Sequence, residues 1–403
     1  DLHSFPTRRS SDLNLYAGDG PRESRRLLAR LLRRAPDAAA RAAPRPDWAP
    51  SPVGENAPDE QLRHLQRLLA VLGSSSALGD FLAAHPDALA ALAPARAPGA
   101  PGLPDARTAL RIAVTRALGR LGDDDGSLDG DSGADDPDAV ARATSALRTA
   151  YRERLLGIVA DDLTSPDPYQ HVETVGRRMS DLADAALDAA LLIARRAVGP
   201  PARDTALAVI AMGKTGAREL NYISDVDVVY VVAPAEGRQV PEEELLAAGT
   251  AIATELAAVV SSTGAEPPLW PLDTGLRPEG KDGALVRTLA SHVAYYQRWA
   301  ASWEFQALLK ARAAAGDEAL GRAYEQAVAP FIWSASLRDN FVDDARAMRR
   351  RVERASEPRN GQDRRIKLGP GGLRDVEFTV QLLQLVHGDR KSTRLNSSHQ
   401  PLS

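Results

Sequence analysis

The chain has 403 residues, of which 44% are hydrophobic and 5% aromatic, and its 50 basic and 54 acidic side chains give a formal net charge of −4. This length suits roughly two or three domains with cores of their own, and the near-neutral balance argues against a bulk nucleic-acid binder. The complete lack of cysteine excludes disulfides, thiolate zinc sites, iron–sulfur clusters and cysteine nucleophiles. We find no run of about 18 apolar residues, so we expect no membrane span and a cytoplasmic protein.

The two ends of the chain differ from its body. Residues 1–13 and 389–403 show no helical or strand periodicity and resemble translated sequencing adapters, so we expect neither to belong to the fold. Residues 14–58, which are rich in arginine, proline and alanine, are predicted to form a flexible lead-in. We expect the natural ends of the body to lie outside this sequence.

A helical region is predicted over residues 59–200. Leucines at three- and four-residue spacing indicate a first helix from Asp59 to Leu72. The further helices are predicted over residues 80–92, 106–121, 138–162 and 176–197.

The segment 122–138 interrupts this region with acidic residues and glycines. A calcium-binding EF-hand loop that starts at Asp123 would need glycine where Leu128 stands and glutamate where Ala134 stands. Because that template fails, we expect a solvated loop.

Residues 201–290 are predicted to form a compact α/β core. Apolar, β-branched runs indicate strands over Thr205–Met212 and Asp225–Val232, with a third at Pro268–Leu276 and a helix over Glu242–Ser262. The expected fold class is therefore α+β and mostly helical.

Helical periodicity then continues almost unbroken over residues 288–387, which predicts a helical domain over 291–388. Within it, Trp299 and Trp303 are predicted to share one helix face. We favour core packing for this pair over a platform for base stacking.

A glycine turn follows the first predicted strand and has the form of a phosphate-binding loop. It contains Gly213, Lys214, Thr215 and Gly216. A Walker A motif would need glycine where Ala208 stands, so this is not a P-loop. A glycine turn that opens a helix can still bind phosphate through backbone N–H groups.

Two carboxylates stand at the head of the second predicted strand. Alternation along a strand places Asp225 and Asp227 on one face and the intervening valine on the other. Magnesium is usually held by one or two carboxylates together with substrate phosphates, and Asp273 could complete a two-metal site. The alternative is an exposed strand end with two solvated aspartates.

Basic residues near these segments are candidates for phosphate contacts. Only five of the 50 basic residues are lysines, and four of these lie in segments that other features also mark: Lys214, Lys281, Lys310 and Lys367. Arg277 follows Asp273. A Gly-Pro-Gly-Gly turn precedes a helix whose first turn includes acidic residues, as the helix dipole favours. A second anion-binding surface at this turn is the alternative.

Four stretches together resemble one family: GKTGARELNYISDVD, LRPEGKDGALV, WEFQALLKARAAAGD and IKLGPGGLRDVEFTVQLLQLVHG. Residues 59–388 resemble the first half of the bifunctional glutamine synthetase adenylyltransferase/adenylyl-removing enzymes. The resemblance implies a DNA-polymerase-β-like nucleotidyltransferase core with flanking helical bundles. It also implies phosphorolytic removal of AMP from adenylylated glutamine synthetase, which yields ADP. The second half of such enzymes adds AMP from ATP, and PII signal protein and glutamine regulate the direction.

The resemblance also implies roles for single residues. Asp225, Asp227 and Asp273 would be catalytic and would hold two Mg²⁺ ions. The residues that would bind nucleotide or phosphate are Gly213, Lys214, Thr215, Arg277, Lys310, Arg312, Lys367 and Arg374. Two other functions stay open: the same fold transferring another nucleotide, as in uridylylation of a signal protein, or a non-catalytic regulatory fragment. Nucleotide preference would separate the first from adenylyl chemistry, and metal-dependent binding of ADP would exclude the second.

Overall fold

The structure is a computed structural model of the whole chain, and it describes residues 57–93, 105–119, 138–338, 341–355, 367 and 371–387. The predicted adapter-like ends, almost all of the lead-in and nearly all of the acidic loop lie outside these ranges. The chain divides into two compact units, one helical and one built on a sheet. The predicted domain limits at residues 200 and 290 remain predictions.

The helical unit is made mainly of five helices. They are α1 (Ala57–Ser74), α2 (Ser76–Ala84), α3 (Ala106–Ala117), α4 (Ala139–Leu163) and most of α5 (Pro168–Val198). The predicted helix over 80–92 is wrong in its second half, because α2 ends and a 3-10 helix, Pro86–Leu92, follows. Proline lacks the N–H that would continue the helix, and it is well placed at the first position of the next one.

Two arginines on α4 bind backbone carbonyl oxygens of residues 259–268 in the same unit. Arg148 is 1% exposed and donates hydrogen bonds to the carbonyl oxygens of Val259, Ser262 and Glu266. Arg152 donates to the carbonyl oxygens of the two prolines at 267 and 268. At the start of the predicted third strand, the carbonyl oxygen of Pro268 is thus taken by Arg152, and Leu269 and Trp270 bind residues 260 and 261. The strand predicted over Pro268–Leu276 is accordingly wrong except for two residues.

The sheet unit contains five strands. They are β1 (Thr205–Ala211), β2 (Val226–Pro234), β3 (Leu272–Asp273), β4 (Val286–Thr288) and β5 (Arg312–Gly316). β1 lies between β2 and β5 and is antiparallel to both, while β3 and β4 pair in parallel with successive parts of the far edge of β2. Both long strands are almost wholly buried, as their apolar runs predict.

The helices of the sheet unit among the described residues are α6 (Gly213–Ala217), most of α7 (Glu242–Ser261), α8 (Leu289–Arg298), α9 (Ser302–Leu308), α10 (Glu318–Ser334), α11 (Phe341–Ala355) and α12 (Leu373–His387). The core of this unit joins buried side chains of β1 and β2 to aromatic residues of α8, α9 and α10. With a small mixed sheet among many helices, the described residues confirm the α+β, mostly helical fold class.

The predicted helix over 288–387 is interrupted at several places in the described residues, one of them a 3-10 helix, Ala335–Leu337, after α10. Residues 312–316 form β5, where pairing with β1 overrides the high helix propensity of alanine. A break also separates α8 from α9, so Trp299 and Trp303 do not share a helix face. Core packing is wrong for Trp299, which caps α8 and is 76% exposed.

Helix α7 passes a length and composition test that we expected no segment to pass. Among the described residues, it is the one helix long and apolar enough to cross a membrane. A Cβ added at Gly249 would approach Val232 of β2 to 2.6 Å and Val286 of β4 to 3.1 Å. Helix α7 therefore packs closely on the sheet, and an apolar face is what such a core helix needs.

Candidate functional site

The glycine turn lies where β1 ends and is joined directly to the start of β2. Met212 donates its backbone N–H to the carbonyl oxygen of Asp227 at 2.8 Å. Gly213 has φ +52°, and a Cβ at this position would lie 2.2 Å from Oδ2 of Asp227. Glycine is therefore needed here both for backbone conformation and for space beside a carboxylate.

Three carboxylates meet at the start of β2, and we call them the acidic triad: Asp225, Asp227 and Asp273. One oxygen from each lies within 4.8 Å of the others. The register of β2 and β3 places Asp227 directly beside Asp273, at the ordinary spacing of neighbouring strands. Asp225 is exposed and the other two are half-buried, whereas Val226 and Val228 are fully buried. The alternation expected for Asp225 and Asp227 is confirmed.

A short loop fixes the carboxylate of Asp273. The backbone N–H of Gly275 donates to its Oδ1 at 2.7 Å. Arg277 then donates to carbonyl oxygens of Thr274, Lys281 and Gly283 and to the Thr274 hydroxyl. The guanidinium of Arg277 thus joins both ends of the loop that follows Asp273, and its predicted phosphate contact stays a prediction.

The residues of the triad fit a magnesium ion. All three offer hard oxygen donors, and three negative charges this close repel one another unless a cation or protons offset them. Asp273 also needs one oxygen for its own loop, which leaves its second oxygen as a donor. The third carboxylate distinguishes this arrangement from the alternative of two solvated aspartates at a strand end.

Arg312, on β5, supports the glycine turn. It is 4% exposed and donates to the carbonyl oxygens of Thr215 at 3.0 Å and Gly216 at 3.3 Å. A Cβ on Gly216 would lie 1.9 Å from the carbonyl oxygen of Lys310. The Thr215 hydroxyl is buried and has no hydrogen-bond partner among the described residues. Arg312 therefore holds the turn through its backbone, and direct phosphate binding by this residue stays a prediction.

The side chain of Lys310 contacts Glu377, a residue that the sequence analysis left out of the candidate site. Lys310 Nζ lies 2.6 Å from Glu377 Oε1. Burial raises the pKa of Glu377, but the bond from Lys310 and the charges of Lys310, Arg374 and Lys214 outweigh this effect and lower that pKa below its usual value. Three predicted phosphate ligands therefore act on one carboxylate.

The signal that could have identified Glu377 is its spacing on α12. Gln381 lies one turn later and donates to Glu377 Oε1 at 3.2 Å, while Gln306 of α9 donates to Gln381 at 2.6 Å. An acidic residue and a glutamine at i and i+4 share a helix face. Their distant partner on α9 could not be read from this spacing.

The start of α12 carries a second charged pair. Arg349 binds Asp375 through two nitrogens, at 2.6 and 2.7 Å, and the N–H of Gly371 donates to the same carboxylate. A small pocket of about 180 Å³ lies beside this pair. Lys367 is exposed, and its carbonyl oxygen accepts the N–H of Arg374 at 3.1 Å. The predicted phosphate role of Lys367 stays a prediction.

Comparison with known families shows which family the chain belongs to. A family model described as glutamate-ammonia ligase adenylyltransferase matches residues 65–327, which include Gly213 and the whole acidic triad. The chain belongs to the glutamate-ammonia ligase adenylyltransferase family. A second model, described as GlnD PII-uridylyltransferase, matches residues 345–400.

Relatives of this adenylyltransferase family align over most of the chain. Proteins named bifunctional glutamine synthetase adenylyltransferase/adenylyl-removing enzyme are 49% identical in Bifidobacterium longum (strain NCC 2705) and 50% in Mycolicibacterium smegmatis, each over 80% of this chain. The one from Leifsonia xyli subsp. xyli is 45% identical over 93% of this chain. The matched parts are 29%, 30% and 35% of those proteins, so the chain spans about a third of their length.

Proposed function

We propose that this chain carries the adenylyl-removing activity of a glutamine synthetase adenylyltransferase/adenylyl-removing enzyme. Its substrate would be glutamine synthetase with AMP on a tyrosine, and its products ADP and unmodified glutamine synthetase. The observation that carries the proposal is the acidic triad beside a glycine turn in a chain of this family. The adenylyl-removing half is chosen because the four sequence stretches resemble the first half of such enzymes.

The same proposal gives the sheet unit a DNA-polymerase-β-like nucleotidyltransferase core. Its support is a glycine turn after β1, two carboxylates at the start of β2 and a third on a neighbouring strand. The activity would contribute to the control of nitrogen assimilation in the cytoplasm. PII signal protein is a proposed partner by family resemblance.

In the proposed reaction, inorganic phosphate attacks the phosphorus of the tyrosine-linked AMP. A new P–O bond forms ADP as the bond to the tyrosine oxygen breaks, and that oxygen takes up a proton. Mg²⁺, held by the acidic triad, would neutralise phosphate charge and orient the reacting oxygens.

The chain's own cations stabilise the charge spread over the transferring group. Lys214, Lys310 and Arg374 supply three positive charges on the side of the turn, and phosphoryl-type transfer depends mainly on such charges and on positioning. Gly213 leaves the space that the Asp227 carboxylate occupies beside the turn. Arg312 fixes the backbone of the turn, so that its N–H groups keep one orientation.

The test mixes the chain with adenylylated glutamine synthetase, phosphate and Mg²⁺ and follows ADP release and the mass of the tyrosine peptide. We expect ADP only when phosphate and Mg²⁺ are both present, and we expect Asp225→Asn to abolish it with the fold intact. Asp204→Asn is the matched control, because Asp204 forms a surface pair with Arg238. Full activity of Asp225→Asn would remove the metal role. If the folded chain releases no ADP, addition of the remaining part of a relative separates dependence on that part from a non-catalytic role.

The family match at residues 345–400 favours one second candidate, transfer of uridylyl groups to a signal protein. Labelled UTP and ATP, each offered with PII protein and with glutamine synthetase, distinguish the two. Label from UTP on PII would support the second candidate and contradict the first.

A further inference from the structure

Lys310 lies at a junction that couples the glycine turn to α12. It stands between the end of α9 and the start of β5, and its carbonyl oxygen packs directly against Gly216 of the turn. Its ammonium group, at the other end of the side chain, reaches Glu377 of α12. One residue thus contacts the turn through its backbone and α12 through its charge.

Glu377 is held in place on its own helix. Gln381 donates to the same Oε1 that binds Lys310, and Gln381 is in turn held by Gln306 within the core. The Glu377 side chain is nevertheless 44% exposed, whereas that of Lys310 is 16% exposed. The carboxylate therefore stands on the solvent side of a nearly buried ammonium group.

Two further cations act on this carboxylate. The cation cluster consists of Lys214, Lys310 and Arg374. Their charges hold the pKa of Glu377 below its usual value in spite of its partial burial, so Glu377 is ionised at neutral pH. Glu377 thus supplies, at Lys310, the negative charge that an anionic ligand would otherwise supply.

We propose that Glu377 is a built-in counter-anion which takes the position of a substrate phosphoryl group at the cation cluster and releases Lys310 when that group binds. This inference rests on the proposed function, because it assigns the cluster to the phosphate substrate of that reaction. The exchange breaks the Lys310–Glu377 contact and forms a contact between Lys310 and a phosphate oxygen. No covalent bond changes.

A purely structural role for Glu377 makes the opposite prediction. If its only task were to join α12 to Lys310, the loss of its charge would loosen the cluster and weaken phosphate binding. If it competes with phosphate, Glu377→Gln keeps the shape and the acceptor oxygen but removes the competing charge. The sign of the change in affinity therefore decides between the two roles.

The experiment is calorimetric titration of the chain and of Glu377→Gln with inorganic phosphate, ADP and AMP at low ionic strength. We expect roughly three- to tenfold tighter binding of inorganic phosphate by the variant, with the difference shrinking as salt is added. ADP and AMP, titrated in parallel, distinguish free phosphate from the phosphate groups of a nucleotide as the ligand. A gain for inorganic phosphate alone assigns the cluster to the attacking phosphate, and a gain for the nucleotides assigns it to the nucleotide phosphates.

Glu318→Gln is the matched control, because Glu318 carries the same charge on the sheet unit but pairs with Arg322 on its own helix. We expect its phosphate affinity to equal that of the original chain. In the activity assay, Glu377→Gln should lower KM for phosphate without raising kcat. Lys310→Gln should weaken phosphate binding and abolish the gain from Glu377→Gln when both changes are combined.

Unchanged or weaker binding of inorganic phosphate, ADP and AMP alike by a folded Glu377→Gln variant overturns the inference. If that variant fails to fold, Glu377→Asp keeps the charge and shortens the reach to Lys310, and tighter phosphate binding is again expected; unchanged binding overturns the inference. The two proposals fail separately. An active chain with no gain refutes only the counter-anion, whereas a gain in a chain that releases no ADP, even after the remaining part of a relative is added, refutes only the adenylyl-removing activity.

Discussion

Two cations, one from each unit of the molecule, are held in different ways: Arg148 by backbone oxygens and Lys310 by a side-chain carboxylate. In the helical unit, Arg148 is buried and all of its hydrogen bonds go to backbone carbonyl oxygens. In the sheet unit, Lys310 binds the side chain of Glu377, which is partly exposed. A carbonyl that is fixed in a loop cannot leave its partner, whereas a side-chain carboxylate can rotate away. The first arrangement stabilises a fold, and the second suits the exchange of one anion for another.

The largest effect should come from the fixed arrangement. Arg148→Met keeps much of the side-chain volume but leaves three carbonyl oxygens, of which that of Val259 is buried, without their donor. We expect the free energy of unfolding to fall by about 4 kcal/mol. Urea denaturation followed by circular dichroism measures this loss. A change below about 1 kcal/mol would show that water replaces the arginine and that the comparison of the units is wrong.

Buried polar groups of the sheet unit should also contribute to stability, and the pH dependence of unfolding tests this for His292. Burial lowers the pKa of His292 from 6.5 to about 4, with a further contribution from the charge of Arg287, while a bond to the carbonyl oxygen of Tyr230 raises it. The unfolded chain therefore binds a proton at a higher pH than the folded one. Stability is full above pH 6.5 and falls as the pH is lowered towards 4.

Because of this difference in the pKa of His292 between the folded and unfolded chain, the free energy of unfolding should fall by about 2 kcal/mol from pH 7 to pH 5. His292→Phe retains a ring between Tyr296 and Tyr324 and removes the titrating group. Denaturation curves at both pH values should show a smaller loss for the variant. Equal losses in both proteins would place the pH dependence on another group, such as His64, whose pKa is also lowered by burial.

In the sheet unit, the proposed ion site depends on the close contact between Gly213 of the glycine turn and the Asp227 carboxylate. Gly213→Ala introduces a Cβ that collides with Asp227, whereas Gly237→Ala meets open space at a similar positive φ. Both variants should lose about 1 kcal/mol of stability from the backbone conformation. Only Gly213→Ala should weaken Mg²⁺ binding, by roughly tenfold, as measured by calorimetry. Equal Mg²⁺ affinities would separate the turn from the acidic triad.

The smallest effect is expected on the surface. Arg322→Ala removes an exposed pair with Glu318 at i and i+4. The free energy of unfolding should change by no more than about 0.5 kcal/mol. A larger loss in thermal denaturation would mean that exposed pairs also fix the fold, and the contrast between the two units would then be weaker.

Local pattern was sufficient for those parts of the site that lie on one stretch of chain. Apolar, β-branched runs predicted β1 and β2. Alternation predicted the shared face of Asp225 and Asp227, because side-chain direction along a strand follows from the backbone alone. The position of Asp273 beside Asp227 depends on pairing between distant segments, and spacing carries no information about register. The role of β5 was missed for the same reason, since its alanines favour a helix until β1 is available as a partner.

Arg312 and Glu377 are two residues whose contacts could not be predicted from the local sequence. An arginine close to a glycine turn has the same sequence context whether it contacts a ligand or a backbone carbonyl, and here it contacts the carbonyls. The sequence analysis explained the acidic residues at the start of α12 by the helix dipole, and the spacing of Glu377 and Gln381 does not show that Lys310 is the partner of Glu377. Only the three-dimensional position of Lys310 distinguishes these cases.

The shortness of β3 has a consequence for where substitutions can act. Its two residues pair with β2, and a shift of one residue would bring Leu272 beside Asp227 and turn Asp273 to the opposite face of the sheet. Two paired residues offer little resistance to such a shift. The hydrogen bonds of Arg277 to the loop after Asp273 therefore help to keep β3 in register. A change at Arg277 can therefore lower ion affinity without touching any ligand oxygen.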